Sequence, residues 1–193
     1  MTGDRPIVRP EIIVVGASAG GLRAFEQLFG GLPADFPVPI VAVQHRARDS
    51  SDGYADLFTK WTRLPVREAE DNDILRAPGV YLAPPDYHLL IERGRLVLSV
   101  DEPVSHSRPS IDVLFESAAD AYGARVVGVL LTGANADGSN GLLRIKQAGG
   151  FAIVQDPQTA ESSTMPAAGI ARAPVDRVLP LAAIAAELVR VVA

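Results

Sequence analysis

The sequence has no cysteine, which removes disulfides, thiol nucleophiles and zinc–thiolate sites together. It also has no apolar run near the roughly 18 residues needed to span a bilayer. Its first residues, Met1-Thr2-Gly3-Asp4-Arg5-Pro6, are too polar to begin a secretory signal. A cytoplasmic protein without membrane insertion is therefore expected. Positive charge is in deficit: the formal net charge is −5, which argues against a nucleic-acid surface spread over the whole chain, and no nucleic-acid partner is expected. Internal repeats and disordered linkers are absent too, since the frequent prolines and glycines punctuate turns. With 193 residues, 48% of them hydrophobic, residues 1–193 are taken as one domain with a substantial core.

What is present starts with Glu11-Ile12-Ile13-Val14-Val15-Gly16-Ala17-Ser18-Ala19-Gly20-Gly21. The branched run Ile12 to Val15 suits a strand buried on both faces, and Phe25, Leu28, Phe29 and Leu32 then recur at helical spacing. Gly16-Ala17-Ser18-Ala19-Gly20 fits the Gly-x-Ser-x-Gly elbow, in which glycines permit a sharp turn and leave the serine hydroxyl exposed beside a helix N-terminus. The plainer reading is that Ser18 caps the helix. Phosphate-loop templates fail: a dinucleotide fingerprint needs glycine where Ser18 stands, and a Walker loop needs Lys-Ser or Lys-Thr where Leu22-Arg23 follow Gly21.

Further along, Val38-Pro39-Ile40-Val41-Ala42-Val43-Gln44-His45 reads as a second buried strand ending in a histidine, and Val126 to Leu131 as a third that runs into Thr132-Gly133-Ala134-Asn135-Ala136-Asp137-Gly138. A short strand is expected near Leu64–Val66, another over Gly79-Val80-Tyr81-Leu82-Ala83-Pro84-Pro85 stopped by its prolines, and a β-hairpin over residues 88–100 turning at Arg93-Gly94. Helices are expected through Ala55–Trp61, after Ser110 with Val113, Leu114, Ser117 and Ala121 inward, on a face marked by Leu142, Ile145 and Gly149, and from Leu181 to Val192. A strand over Phe151–Gln155 is followed by an irregular loop through Ser162, Ser163, Met165 and Pro166. The acidic stretch Glu68–Asp73 reads as a solvated turn and Trp61 as core. The expected fold is α/β, a doubly wound, mainly parallel sheet in three layers with an antiparallel hairpin.

Function in such sheets sits beyond the carboxyl ends of the strands. Ser18, His45 and Asp137 each follow a predicted buried strand, which puts all three on one edge. A serine hydroxyl needs an imidazole to take its proton, and the imidazole needs an acceptor to fix its tautomer. His88, opening the hairpin, and His106, in a loop, are alternatives to His45. Asp137 before Gly138 also reads as turn chemistry.

Gly16-Ala17-Ser18-Ala19-Gly20-Gly21, Gln44-His45, Arg108-Pro109-Ser110-Ile111-Asp112, Leu130-Leu131-Thr132-Gly133, Asp137-Gly138, Gly149-Gly150, Gln155-Asp156 and Met165-Pro166 together resemble the catalytic domain of CheB-type chemotaxis protein-glutamate methylesterases. The resemblance runs in order over nearly the whole chain. It implies a Ser18–His45–Asp137 triad, and an oxyanion held by backbone amides near Ala19 and Ala134. It also implies hydrolysis of glutamyl methyl esters, with glutamine deamidation in some members, on the methylated cytoplasmic helical region of chemoreceptors. That acyl-transfer chemistry calls for no metal and no organic cofactor.

Two departures stand out. The family's usual Thr-Gly-Met-Gly-x-Asp-Gly carries Ala134 and Asn135 here in place of methionine and glycine. Many members also carry a phosphoacceptor receiver domain, for which the eleven residues before the first strand leave no room, so the chain is expected to be either a stand-alone enzyme or an excised domain, with a separate regulatory protein as a candidate partner. The competing readings are an esterase or deamidase acting on a protein other than a chemoreceptor, and a catalytically weak signalling adaptor. Arg46, Arg48, Arg63 and Arg108 are candidates for a basic rim that meets an acidic helix.

Overall fold

A computed structural model describes residues 8–46 and 53–193. Branched and apolar runs bounded by glycine or proline form the strands of a seven-stranded sheet, every pair of them parallel. The strands are β1 (Ile12–Ala17), β2 (Ile40–Gln44), β3 (Val66–Glu68), β4 (Val80–Leu82), β7 (Val126–Leu130), β8 (Phe151–Gln155) and β9 (Arg177–Leu179). Their order is β3-β4-β2-β1-β7-β8-β9, so the chain first fills one side of β1, with β4 inserted between β2 and the edge strand β3, and then the other. A switch of this kind leaves a crevice at the carboxyl ends of the central strands. The expected hairpin, β5 (His88–Glu92) and β6 (Arg95–Ser99), forms its own antiparallel pair, and Gly94 takes φ +85° at its turn.

Because β1 is buried along its full length, its alternate residues serve two cores. Ile13, Val15 and Ala17 face the layer of α1 (Gly21–Gly30), α2 (Tyr54–Thr59) and α6 (Leu181–Val192), where Phe25, Phe29 and Phe58 pack together and Trp61 lies 4.9 Å from Phe58. Trp61 itself is partly buried at the edge of that cluster. Ile12 and Val14 face the opposite layer of α3 (Ile111–Tyr122), α4 (Ser139–Gln147) and α5 (Thr164–Arg172), with the hairpin packed on α3.

Three expectations need correction. The stretch after Ser163 is not an irregular loop, because it forms α5 and the short edge strand β9. The inner face of α3 is Ile111, Leu114, Phe115, Ala118 and Tyr122, with Val113, Ser117 and Ala121 only half-buried. Ser117 spends its hydroxyl on the Ile91 amide of the hairpin at 3.0 Å. Gly149 follows α4 rather than lying on its face, at φ +87° in the turn that reverses the chain into β8.

Candidate active site

The three expected residues follow the three central strands. Ala17 pairs with Gln44 in the β1–β2 register, and the His45 amide donates to Ala17 O at 3.0 Å, so Ser18 and His45 are the next positions on adjacent strands. On the other side of β1 the Ser18 amide donates to Thr132 O at 2.9 Å, tying the serine turn to the segment that leaves β7. The Thr132 hydroxyl lies 2.8 Å from Ala19 O and 3.2 Å from Ser162 O, and it accepts from the Ser162 amide at 2.9 Å. Among the described residues the Ser18 hydroxyl has no hydrogen-bond partner, and neither do the Ala19 and Ala134 amides. Ser18 lines an open cleft of about 310 Å³ together with Gln44, Tyr54 and Glu161.

Asp137 is where the sequence says least and the structure most. Its Oδ2 accepts from His45 Nε2 and from the Ile111 amide, each at 2.7 Å, and its Oδ1 accepts from the Ser110 hydroxyl at 2.9 Å and the Asp112 amide at 3.0 Å. The carboxylate therefore sits on the N-terminus of α3, where free amides and the positive end of the helix dipole favour negative charge. Burial alone would raise its pKa, but the hydrogen bonds from His45, Ile111 and Asp112 together with the His45 charge outweigh it and hold Asp137 below the ordinary aspartate range. An ionised carboxylate only accepts, so His45 carries its proton on Nε2 and leaves Nδ1 as the basic nitrogen. Ser107 Oγ lies 3.5 Å from that Nδ1, at the outer limit of a hydrogen bond.

Close approach makes this geometry depend on glycine. A Cβ on Gly16 would lie 2.3 Å from Ile111 Cγ2, so only glycine lets the start of α3 rest on the end of β1. Gly138, at φ +94° directly after Asp137, adopts a conformation that side chains resist.

One contributor is not signalled by the sequence. Ser110 caps α3, lying 3.4 Å from the Val113 amide, and its hydroxyl also donates to Asp137. His88 is no substitute for His45. It is buried, with Nδ1 accepting from the Ser110 amide at 3.2 Å and Nε2 donating to Glu102 O at 3.1 Å, so both ring nitrogens are engaged. His106 is exposed in the 103–108 loop at φ +63°.

The basic rim does not form as expected. The Arg46 side chain is only 2% exposed and pairs with Glu68 at 2.5 Å, while Arg108 is largely buried against Asp86 at 2.7 Å. Arg63 is exposed, and Arg48 lies outside the described residues.

A family model described as CheB methylesterase matches residues 13–188. The chain belongs to the CheB methylesterase family. A relative from Leptospira interrogans is 46% identical over 181 residues, covering 93% of this chain and 94% of its own length. A protein from Anaeromyxobacter dehalogenans, named protein-glutamate methylesterase/protein-glutamine glutaminase 2, is 47% identical over 173 residues, which is 90% of this chain and 51% of that protein. The chain thus spans about half the length of some relatives and nearly all of others. Its fold is that of the crystal structure of the Thermotoga maritima CheB methylesterase catalytic domain, with TM-score 0.89 and 33% identity over 95% of this chain and 99% of that one. Expected and observed architecture agree in the parallel sheet, its flanking helices and the antiparallel pair.

Proposed function

We propose that this chain is a serine hydrolase that removes methyl esters from glutamate side chains in the methylated cytoplasmic region of chemoreceptors, with deamidation of glutamine as a second use of the same site. Membership in the CheB methylesterase family supports the substrate class. The observation that carries the chemistry is the 2.7 Å bond from His45 Nε2 to Asp137, made on the sheet edge where Ser18 is the next residue in register.

In this mechanism Ser18 Oγ attacks the ester carbonyl while His45 takes its proton, and the imidazolium is stabilised by Asp137. The Ala19 and Ala134 amides, free among the described residues, receive the oxyanion. The tetrahedral intermediate collapses as methanol leaves with the proton held on His45. Water then gives a proton to His45 and attacks the acyl-serine, releasing glutamate and restoring Ser18. A glutamine substrate follows the same course with ammonia leaving. No helix among the described residues is long and apolar enough to cross a membrane.

Methanol release from a methylated chemoreceptor cytoplasmic fragment tests the reading, with Ser18→Ala alongside. Release by the wild type and loss in Ser18→Ala is expected, as is labelling of Ser18 by a serine-reactive phosphonate. Labelling at Ser107, whose hydroxyl also lies near His45, would overturn the nucleophile assignment. A folded wild type that neither labels nor releases methanol would favour the adaptor reading.

A further inference from the structure

Gln44 and Gly21 both belong to the motifs that carry the family resemblance, yet neither has a place in the triad. Gln44 is buried at the end of β2, directly before His45. Its Nε2 donates to Ser18 O at 2.9 Å and to His45 O at 3.0 Å. A carboxamide nitrogen has two hydrogens, so both are engaged, one on the backbone carbonyl of the proposed nucleophile and one on that of the proposed base.

The surroundings fix which way this carboxamide faces. Turned over, it would set its own oxygen against two carbonyl oxygens, replacing two bonds with two repulsions. As it stands, Oε1 is buried and accepts no hydrogen bond among the described residues, a desolvation cost that the two donor bonds have to outweigh. Gly21 makes room for that oxygen. Gly21 does not take a left-handed φ, so its need for glycine is one of space. A Cβ there would lie 2.0 Å from Gln44 Oε1 and 2.9 Å from Ala17 Cβ.

Backbone pairing between β1 and β2 ends with the His45 amide on Ala17 O. Ser18 lies one residue beyond that tie. Its own carbonyl accepts from the Gly21 amide at 2.8 Å within the serine turn, and Gln44 Nε2 supplies the hydrogen bond that joins Ser18 to the end of β2. We propose that Gln44 is a positioning residue, whose amide clamps the Ser18 and His45 carbonyls together and so sets how near the Ser18 hydroxyl stands to the imidazole. The proposal rests on the triad reading and adds a residue that acts through the backbone of the two reacting groups. Misplacement of such a pair by about 1 Å lowers a rate by about a hundredfold.

Gln44→Met keeps the length of the side chain and removes both donors. Its kcat on a methylated receptor fragment is expected to fall between about tenfold and a hundredfold with KM little changed, the signature of groups misplaced in the transition state. The rate constant for labelling of Ser18 by a small phosphonate, which needs no receptor binding, should fall by the same factor. The downfield NMR proton of the His45–Asp137 bond should remain, because Asp137 keeps its bonds to the Ile111 and Asp112 amides. Ile184→Ala, in the core of the α6 layer, controls for stability: it should lower Tm at least as far and leave kcat nearly intact. Gly21→Ala approaches the clamp from the other side and decides if Gln44→Met does not fold. It should expel the carboxamide and slow labelling strongly, yet cost little more when added to Gln44→Ala, where no carboxamide is left to expel. Wild-type rates in a folded Gln44→Met, an equal loss in Ile184→Ala, or additive effects of Gly21→Ala and Gln44→Ala each overturn the proposal. A wild type that labels but hydrolyses no ester would sink the methylesterase reading and leave the clamp to be judged by labelling rates; a wild type that does not label at Ser18 sinks the clamp as well.

Discussion

Ser110 gives its hydroxyl to Asp137 Oδ1 at 2.9 Å while capping α3, so one side chain both starts the helix and orients the carboxylate that the helix end holds. His88 fixes Ser110 from behind by accepting its amide. The order His88, Ser110, Asp137, His45 is a continuous hydrogen-bonded chain from the hairpin to the proposed base.

Ser110→Ala is therefore expected to cost about 1–2 kcal/mol of stability, the sum of a lost cap and a lost bond to a buried carboxylate. Because Asp137 keeps its bonds from Ile111, Asp112 and His45, the site should persist but be less well held. A roughly tenfold fall in kcat, with a smaller change in KM, is the expected signature of misplaced catalytic groups. Urea denaturation and steady-state kinetics on the same preparation check both parts.

Two neighbouring carboxylates should give opposite pH dependences of stability. Asp137 is held below the ordinary aspartate value, so its contribution is present above about pH 3.9, the unfolded-chain value, and is lost as pH falls through its lowered folded value. Asp112 is raised, by burial first and by the charge of Asp137 in addition, against the opposing bond from the Gly141 amide. Its contribution is present below about pH 3.9 and is lost as pH rises through its raised folded value. Relative to wild type, Asp112→Asn should thus gain stability as pH rises above that point. Asp137→Asn should compare least badly with wild type at the acid end. Thermal melts from pH 3 to 7 decide, and parallel curves for the two variants would contradict the assignment.

Gly16→Ala should disturb the site from within the sheet. The new methyl would meet Ile111 at 2.3 Å, and the Ile111 amide is one of the donors to Asp137. A destabilisation of about 1–3 kcal/mol is expected, typical of overpacking, with loss of most activity. Ile111→Ala removes the atoms in the way, so the double variant should be more stable than the two single effects predict by addition. Strict additivity would show that the contact is not the cause.

Much of this was legible in the sequence because the informative residues stand at the ends of long branched strands. Ser18, His45 and Asp137 follow β1, β2 and β7, and parallel strands share one carboxyl edge. The segment after Ser163 was not legible for a local reason. Thr164-Met165-Pro166-Ala167-Ala168-Gly169 has one large apolar side chain in six residues, so no periodicity announces α5, and Pro166 reads as a breaker although a helix tolerates proline in its first turn. At three residues, β9 is too short to show a pattern. Arg46 was misplaced for a non-local reason. Its partners Glu68 and Ala83 lie far along the chain, and an arginine next to a loop looks like surface until the sheet brings them together.

Asn135 is the departure from the family pattern to which the structure gives a physical role. Its Oδ1 accepts the Asp137 amide at 3.1 Å, a contact that glycine at this position would lack. The side chain therefore braces the turn that carries both Ala134 and Asp137, where the family's glycine leaves the backbone free. Asn135→Gly should lose about 1 kcal/mol through the missing bond and the added freedom of the unfolded chain, and kcat should fall severalfold as the Ala134 amide becomes less fixed. Ala134→Met is different in kind. Ala134 is exposed and its amide, not its methyl, is the group assigned to the oxyanion, so restoring methionine should move KM more than kcat by changing what the substrate touches. Kinetics of the two single variants and the pair separate the effects. A faster Asn135→Gly enzyme would mean that catalysis here needs the turn to move, and that the brace holds the rate down.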